Sequence, residues 1–254
     1  MSAYQDQRVV VTGAGGGIGA ALAQRFAAEG ATVVVNDLDP AKAAAVAAAI
    51  GPRALPVPGD ASRIVERARE ALGGTVDVYC ANAGLASGGD AFADEAVWEA
   101  AWDTNVMAHV RAARLLLPAW LERGSGRFVS TVSAAGLLTM IGAAPYSVTK
   151  HGALAFAEWL SLTYRHRGLH VHAVCPQGVR TDMLTAAGSA GELVLAPTAI
   201  EPESVADALF DGMEKDRFLI LPHPEVAEFA TARATDPDHW LAAMNHLQRK
   251  WEAR

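Results

Sequence analysis

The feature that most constrains the fold is a short β-branched run, Arg8 to Val11, ending in Thr12-Gly13-Ala14-Gly15-Gly16-Gly17-Ile18-Gly19 and leading into apolar residues at helical spacing from Ala20 to Glu29. That order reads as strand, turn and helix, because glycine lets a backbone turn tightly with no Cβ in the way. Gly30 stops the helix, and Ala31 to Val35 is nearly all apolar, as a parallel strand buried on both faces requires. The alternation continues with a helix from about Pro40 to Ile50, a strand from Arg53 to Val57, a helix from Ser62 to Leu72 and a strand from Val76 to Cys80. After Asn82-Ala83-Gly84 and a Gly/Ser loop, one helix is expected from about Asp94 to Leu117, ended by Pro118. Gly126 to Thr131 reads as a strand, the helix holding Tyr146 follows, and Leu169 to Cys175 is a further strand. Such alternation implies right-handed crossovers, so the expected class is α/β: a doubly wound parallel sheet with helices on both faces.

The 254 residues suffice for one such domain, and no linker divides them. Beyond Pro176 the pattern changes. Residues from Thr181 to Pro202 are small and lack a clear period, which marks a mobile lid over a site. Glu203 to Lys215 resumes as a helix and Phe218 to Leu221 as a last strand. The charged tail from Asp236 to Arg254 is expected to be a helix with Trp240, Leu241, Met244, Leu247 and Trp251 on one side. That stripe packs either on its own domain or in a subunit interface.

Composition excludes several classes. A formal charge of −7 without a basic stripe argues against a nucleic-acid partner. The longest alanine-rich run, Ala43 to Ile50, is too short to span a bilayer, and the amino terminus lacks the charged and apolar segments of a signal peptide, so no membrane association and a cytoplasmic location are expected. Cys80 and Cys175 lie in strand-like runs without metal-ligand spacing and read as buried reduced thiols; the scattered histidines, His170 and His172 included, suggest no metal site.

The glycine cluster opening a helix presents backbone N–H groups and the positive helix end to a pyrophosphate. Asp37 ends the second strand eighteen residues after Gly19. A carboxylate there accepts hydrogen bonds from both ribose hydroxyls and repels a 2′-phosphate, which predicts NAD as cofactor rather than NADP. Asp39 reads as the cap of the following helix and Arg53 as surface charge. Tyr146 and Lys150 stand four residues apart, so on a helix a phenol and an ammonium face the same space. A tyrosine of ordinary pKa about 10 is a poor base at neutral pH, and an adjacent cation favours its phenolate. By itself such a pair is common on solvated faces.

With these motifs in order, the chain resembles the short-chain dehydrogenase/reductase family in its single-domain form, over Arg8 to about Thr181. The glycine pattern Gly13-x-x-x-Gly17-Ile18-Gly19 has the family's spacing, and the resemblance implies a Rossmann-like sheet. It also implies that Asp60 and Ala61 border the adenine, that Asn82, Ala83 and Gly84 back the cofactor, and that Pro176, Val179 and Thr181 meet the nicotinamide end. By the same resemblance Asn105, Ser133, Tyr146 and Lys150 are catalytic, and the protein is a homotetramer or homodimer. Two departures stand out: Ala81 replaces a usual Asn, and Gln177 takes the place where glycine is commonest, with Gly178 following. Either the backbone tolerates that exchange or Gln177 points its amide into the substrate pocket; the second is preferred.

The implied chemistry oxidises a secondary alcohol or reduces the matching ketone. Tyr146 serves as general base or acid, Lys150 lowers its pKa and holds the nicotinamide ribose, Ser133 positions the substrate oxygen, and Asn105 anchors a water on the proton path. Leu137 to Ala144, with Met183, Leu184 and Leu193 to Leu195, would border the pocket, with Leu138, Met140, Ala143, Gln177 and Met183 as substrate contacts alongside Ser133. They are mostly apolar and predict a small hydrophobic alcohol or ketone; Arg180 is the one cation near enough to hold an anionic group. Two rivals remain: a non-catalytic NAD-binding sensor of the same fold, and an isomerase or epimerase using NAD transiently.

Overall fold

Val9, Val10 and Val11 are fully buried, and so are Val33, Val34 and Val35. Strands apolar on both faces must be covered on both, each buried valine contributing about 1.5–3 kcal/mol. The computed structural model describes residues 3–186 and 195–253. Among them the sheet comprises β1 (Arg8–Val11), β2 (Thr32–Val35), β3 (Ala54–Pro56), β4 (Val78–Ala81), β5 (Gly126–Thr131), β6 (Leu169–Val174) and β7 (Leu219–Ile220). They pair in parallel in the order β3-β2-β1-β4-β5-β6-β7. The strand order reverses between β1 and β4, which opens a crevice at the carboxyl ends of these strands.

The described helices are α1 (Gly17–Ala28), α2 (Pro40–Ile50), α3 (Val65–Ala71), α4 (Glu95–Trp102), α5 (Ala108–Arg123), α6 (Ala135–Leu138), α7 (Ala144–Tyr164), α8 (Asp182–Ala186), α9 (Pro202–Glu214), α10 (Glu225–Thr235) and α11 (Pro237–Glu252). Phe26 of α1, Ala43 of α2 and Leu209 of α9 cover one face of the sheet with Val11, Val33 and Val174. Ala68 of α3, Leu116 of α5 and Leu160 of α7 cover the other, with Val10, Phe128 and Ala173. Cys80 and Cys175 are buried free thiols, as expected. None of the described helices is long and apolar enough to cross a membrane.

Two expected helices are corrected, and one further helix is added. The helix expected over Asp94 to Leu117 is instead α4, a wide π-turn over Asp103–Met107, and α5, which runs through Pro118. The ring of Pro118 faces solvent, while Leu116 and Trp120 are buried on the sheet side and the Trp120 indole donates to the Val76 carbonyl at 2.7 Å. That packing outweighs the hydrogen bond a proline removes, and left-handed Gly124 ends the helix instead. The helix expected from Ser62 breaks at Ile64 into a 3-10 turn capped by Asp60 and then α3. Finally, α10 was not anticipated. It forms a hairpin with α11, and the tail stripe, apart from exposed Leu241, packs on its own domain: Trp240 lies against Phe229, with ring centres 6.2 Å apart, and against the cluster of Ala134, Leu138 and Val226.

Candidate active site

The turn between β1 and α1 is built by close approach. Gly13 and Gly17 adopt the left-handed region, at φ +61° and +51°. A Cβ on Gly19 would fall 2.2 Å from the Gly13 carbonyl oxygen, and one on Gly17 2.8 Å from the Thr181 methyl. Around Gly16 there is only open space. α1 opens there with neither a side-chain cap nor an acid in its first turn, an arrangement that suits an anionic pyrophosphate. Asp37 follows β2. Its Oδ2 accepts from the Gly15 amide at 3.0 Å and its Oδ1 from that of Asp39 at 3.0 Å, which fixes the carboxylate beside the turn. Asp39 caps α2 through the amides of Ala41 and Lys42, as expected.

The segment after β4 is stitched to the same turn. Asn82 Nδ2 donates to the Thr12 carbonyl at 2.9 Å, and the Thr12 hydroxyl oxygen accepts from the amides of Asn82 and Ala83 at 2.9 and 3.0 Å. Behind Gly84 lies Asn105, fully buried in the π-turn. Its Nδ2 donates to the Leu85 carbonyl and the Thr149 hydroxyl, each at 3.0 Å, and its Oδ1 accepts from the Leu85 amide at 2.8 Å. The side chain thus ties the β4 loop to α7 rather than bonding its own helix.

α7 carries Tyr146 and Lys150, and Ser133 faces the same cavity from the segment after β5. The Tyr146 and Ser133 side chains are hydrogen-bonded, and the Ser133 hydroxyl oxygen is held in turn by the Ala135 amide at 3.1 Å. Lys150 is buried; its Nζ donates to the Thr131 carbonyl at 2.9 Å and lies 5.6 Å from the centre of the Tyr146 ring. The direction of the tyrosine's shift is opposite to that expected from a neighbouring cation. Burial raises Tyr146 above its ordinary value, and the hydrogen bond from Ser133 pulls it back. Burial also pushes Lys150 down to about 8.

The glycine turn, Asp37, Asn82, Ser133, Tyr146 and Lys150 open into one cavity of about 1110 Å³. At its far side the loop 139–143 is pinned by the Met140 amide donating to the Ser147 hydroxyl at 2.8 Å, and Thr139 there holds the unusual φ of +67°. α10 and α11 complete the wall with Phe229, Trp240, Met244 and Leu247, and the Trp251 indole sits against Gly142. Gly178 accounts for the displaced glycine of this loop, since a Cβ there would stand 2.2 Å from the Leu195 carbonyl oxygen.

The cavity brings together Gly13, Gly17, Ile18, Gly19, Asp37, Asn82, Ala83, Gly84, Ser133, Leu138, Met140, Ala143, Tyr146, Lys150, Pro176, Gln177, Val179, Thr181 and Met183. Asn105 lies behind it, and Asp60 and Ala61 are not among its lining residues; Asp60 is exposed and caps its own turn through the Ser62 amide. Of the expected pocket residues, Leu193 and Val194 fall outside the described segments, as does Arg254 of the tail. Arg180 lines the cavity but pairs with Glu201 at 3.0 Å. Sequence reasoning missed Glu225 and Phe229 in the wall, and His223 behind it. Only the apolar stripe of the tail hinted at them.

Comparisons with known proteins agree with this geometry. A match to the family described as short chain dehydrogenase spans residues 7–191. A 1-deoxy-11-beta-hydroxypentalenate dehydrogenase of Streptomyces exfoliatus is 33% identical, covering 87% of this chain and 84% of its own. A putative ketoacyl reductase of Streptomyces coelicolor is 36% identical over 71% of this chain and 74% of its own. Among solved structures, a short chain dehydrogenase/reductase from Burkholderia phymatum in complex with NAD superposes with a TM-score of 0.86 at 25% identity, covering 94% of this chain and 96% of that one. A short-chain dehydrogenase from Sphingobium yanoikuyae in complex with NADPH gives 0.79 at 27% identity, covering 93% and 95%.

Proposed function

This chain belongs to the short-chain dehydrogenase family of oxidoreductases, and we propose that it interconverts a hydrophobic secondary alcohol and its ketone with NAD, Tyr146 serving as general base and acid. The observation that carries this reading is that the hydrogen-bonded Ser133 and Tyr146, with Lys150, face the same cavity as the glycine turn and Asp37.

Bound NAD supplies the hydride acceptor. In oxidation Tyr146 takes the proton of the alcohol hydroxyl, and in reduction it returns one to the carbonyl oxygen. Ser133 shares that oxygen and holds it within reach of the phenol. Lys150, fixed on the Thr131 carbonyl, keeps its charge beside Tyr146 and would hold the nicotinamide ribose of bound NAD. By the family resemblance, Asn105 would anchor a water that continues the proton path from Lys150 to solvent. The preference for NAD rests on Asp37, whose carboxylate would repel a 2′-phosphate, and on Leu38, which offers no cation to such a group. Because one solved relative holds NAD and another NADPH, the fold alone does not choose between them.

The substrate reading rests on the apolar wall of Leu138, Met140, Phe229, Trp240, Met244 and Leu247. The lid expected over 181–202 lies partly outside the described residues, and the protein works as a cytoplasmic homodimer or homotetramer. A non-catalytic sensor is disfavoured by the intact Ser133, Tyr146 and Lys150, and an epimerase would not release reduced cofactor. The test is a panel of cyclic, aryl and steroid-like secondary alcohols mixed with NAD or NADP, followed by absorbance of the reduced cofactor. Free NADH accumulating with at least one alcohol is expected; an inert panel would remove the proposal.

A further inference from the structure

His223 is almost wholly buried, 2% exposed, and both ring nitrogens are engaged. Nδ1 lies 3.1 Å from the Gln177 backbone nitrogen, and Nε2 lies 3.2 Å from the Thr198 carbonyl oxygen. A backbone N–H can only donate and a carbonyl can only accept. The ring therefore carries its proton on Nε2 and offers a bare Nδ1 to Gln177. The two backbone groups belong to different walls of the cavity: Gln177 to the loop after β6, and Thr198 to the turn Ala196–Thr198 ahead of α9. His223 itself stands two residues before Glu225, where α10 begins and leads into the hairpin that supplies Phe229 and Trp240.

We infer that His223 is a positioning residue for substrate, a two-ended staple that holds the Gln177 loop, the Thr198 turn and the α10–α11 hairpin in register around the alcohol. The inference rests on the dehydrogenase reading of the cavity. It assigns to His223 no contact with the reacting atoms. The ring's two hydrogen bonds go to Gln177 and Thr198, whereas the glycine turn and Asp37 lie on the β1–β2 side, so the staple bears on the substrate end of the cavity more than on the cofactor.

The two ends are separable. His223→Asn retains an acceptor near the position of Nδ1 and loses the donor; His223→Gln retains a donor near Nε2 and loses the acceptor; His223→Ala loses both. Each full-length variant is compared with wild type by thermal melting, by NADH binding followed in fluorescence, and by kinetics with the cyclic and aryl alcohols of the panel. The expected result is a KM for alcohol raised about five- to tenfold in the alanine variant, with an intermediate rise in Asn and Gln. NADH affinity should stay within about twofold of wild type, the scale of a contact not lost. If the alanine variant does not fold, the Asn and Gln variants decide. Unchanged KM in all folded variants, or NADH affinity falling in step with KM, would overturn the inference while leaving the dehydrogenase reading intact. Wild type inert towards every alcohol would overturn that reading and this inference with it.

Discussion

The Lys150 ammonium lies 5.6 Å from the centre of the Tyr146 ring, held there by its hydrogen bond to the Thr131 carbonyl at the end of β5. The sheet, rather than the tyrosine, fixes the lysine. The spacing of the pair on α7 only brings the two side chains to the same side. Their electrostatics are set by burial, which opposes both charged forms and moves the two groups apart in pH, the tyrosine upward and the lysine downward.

A first consequence concerns the pH profile. Burial raises Tyr146, so its basic form is scarce at neutral pH and its acidic form abundant. Alcohol oxidation is expected to accelerate as pH rises through the alkaline range, and ketone reduction to slow. Ser133→Ala removes the contact that pulls the tyrosine down. It should therefore shift the oxidation profile to higher pH and cut kcat by about a hundredfold. Profiles of kcat/KM in both directions check this, and coincident wild-type and Ser133→Ala profiles would speak against the assigned base.

Lys150 also makes the site costly to fold. Its folded value of about 8 lies below the unfolded one. Between about pH 8 and the ordinary lysine value near 10.4 the unfolded chain therefore binds more protons, and wild-type stability gains from rising pH. Below pH 8 the full cost is present, about 1–3 kcal/mol after allowing for relaxation around the ammonium. Lys150→Met should be inactive, and its stability relative to wild type should be most favourable at pH 7 and decline as pH approaches 10. Denaturant melts at both pH values measure this; a difference that grows with pH would contradict it.

Cofactor choice is expected to turn on two adjacent positions. Asp37→Ala should cost NAD about tenfold in kcat/KM through the lost ribose hydrogen bonds. Adding Leu38→Arg, at a side chain that is 77% exposed, supplies a cation for the 2′-phosphate and should reverse the preference towards NADP. Steady-state kinetics with both cofactors decide, and an unchanged ratio in the double variant would assign selectivity elsewhere.

Because Met244 lines the cavity from α11, Met244→Trp should narrow the substrate side alone. KM for steroid-like alcohols is expected to rise at least about tenfold, the scale of a lost apolar contact, with cyclic alcohols little affected. A uniform effect across the panel would place α11 outside the substrate wall.

The sheet and its order of elements were legible because parallel strands buried on both faces read as unbroken apolar runs, as at Val9 to Val11 and Val33 to Val35. The glycine turn was legible because its spacing answers to a backbone need, visible in the approach of a Gly19 Cβ to Gly13. Other features depend on contacts distant in sequence. Pro118 looked like a helix end because its own residue type forbids an N–H bond, whereas Trp120 packing carried the helix through. The upward shift of Tyr146 reflects burial, which the spacing of Tyr146 and Lys150 does not reveal. His223 was passed over because its partners, Gln177 and Thr198, come from loops without a motif.

The central claim is tested most directly by substituting the phenol hydroxyl alone. Tyr146→Phe is mixed with NAD and the panel alcohol that wild type turns over best, release of NADH is followed by absorbance, and NADH binding is measured on the same sample by fluorescence. The account predicts turnover lowered by at least about a thousandfold with NADH affinity retained. Turnover within a few-fold of wild type would show that the proton passes through another group and would contradict the account.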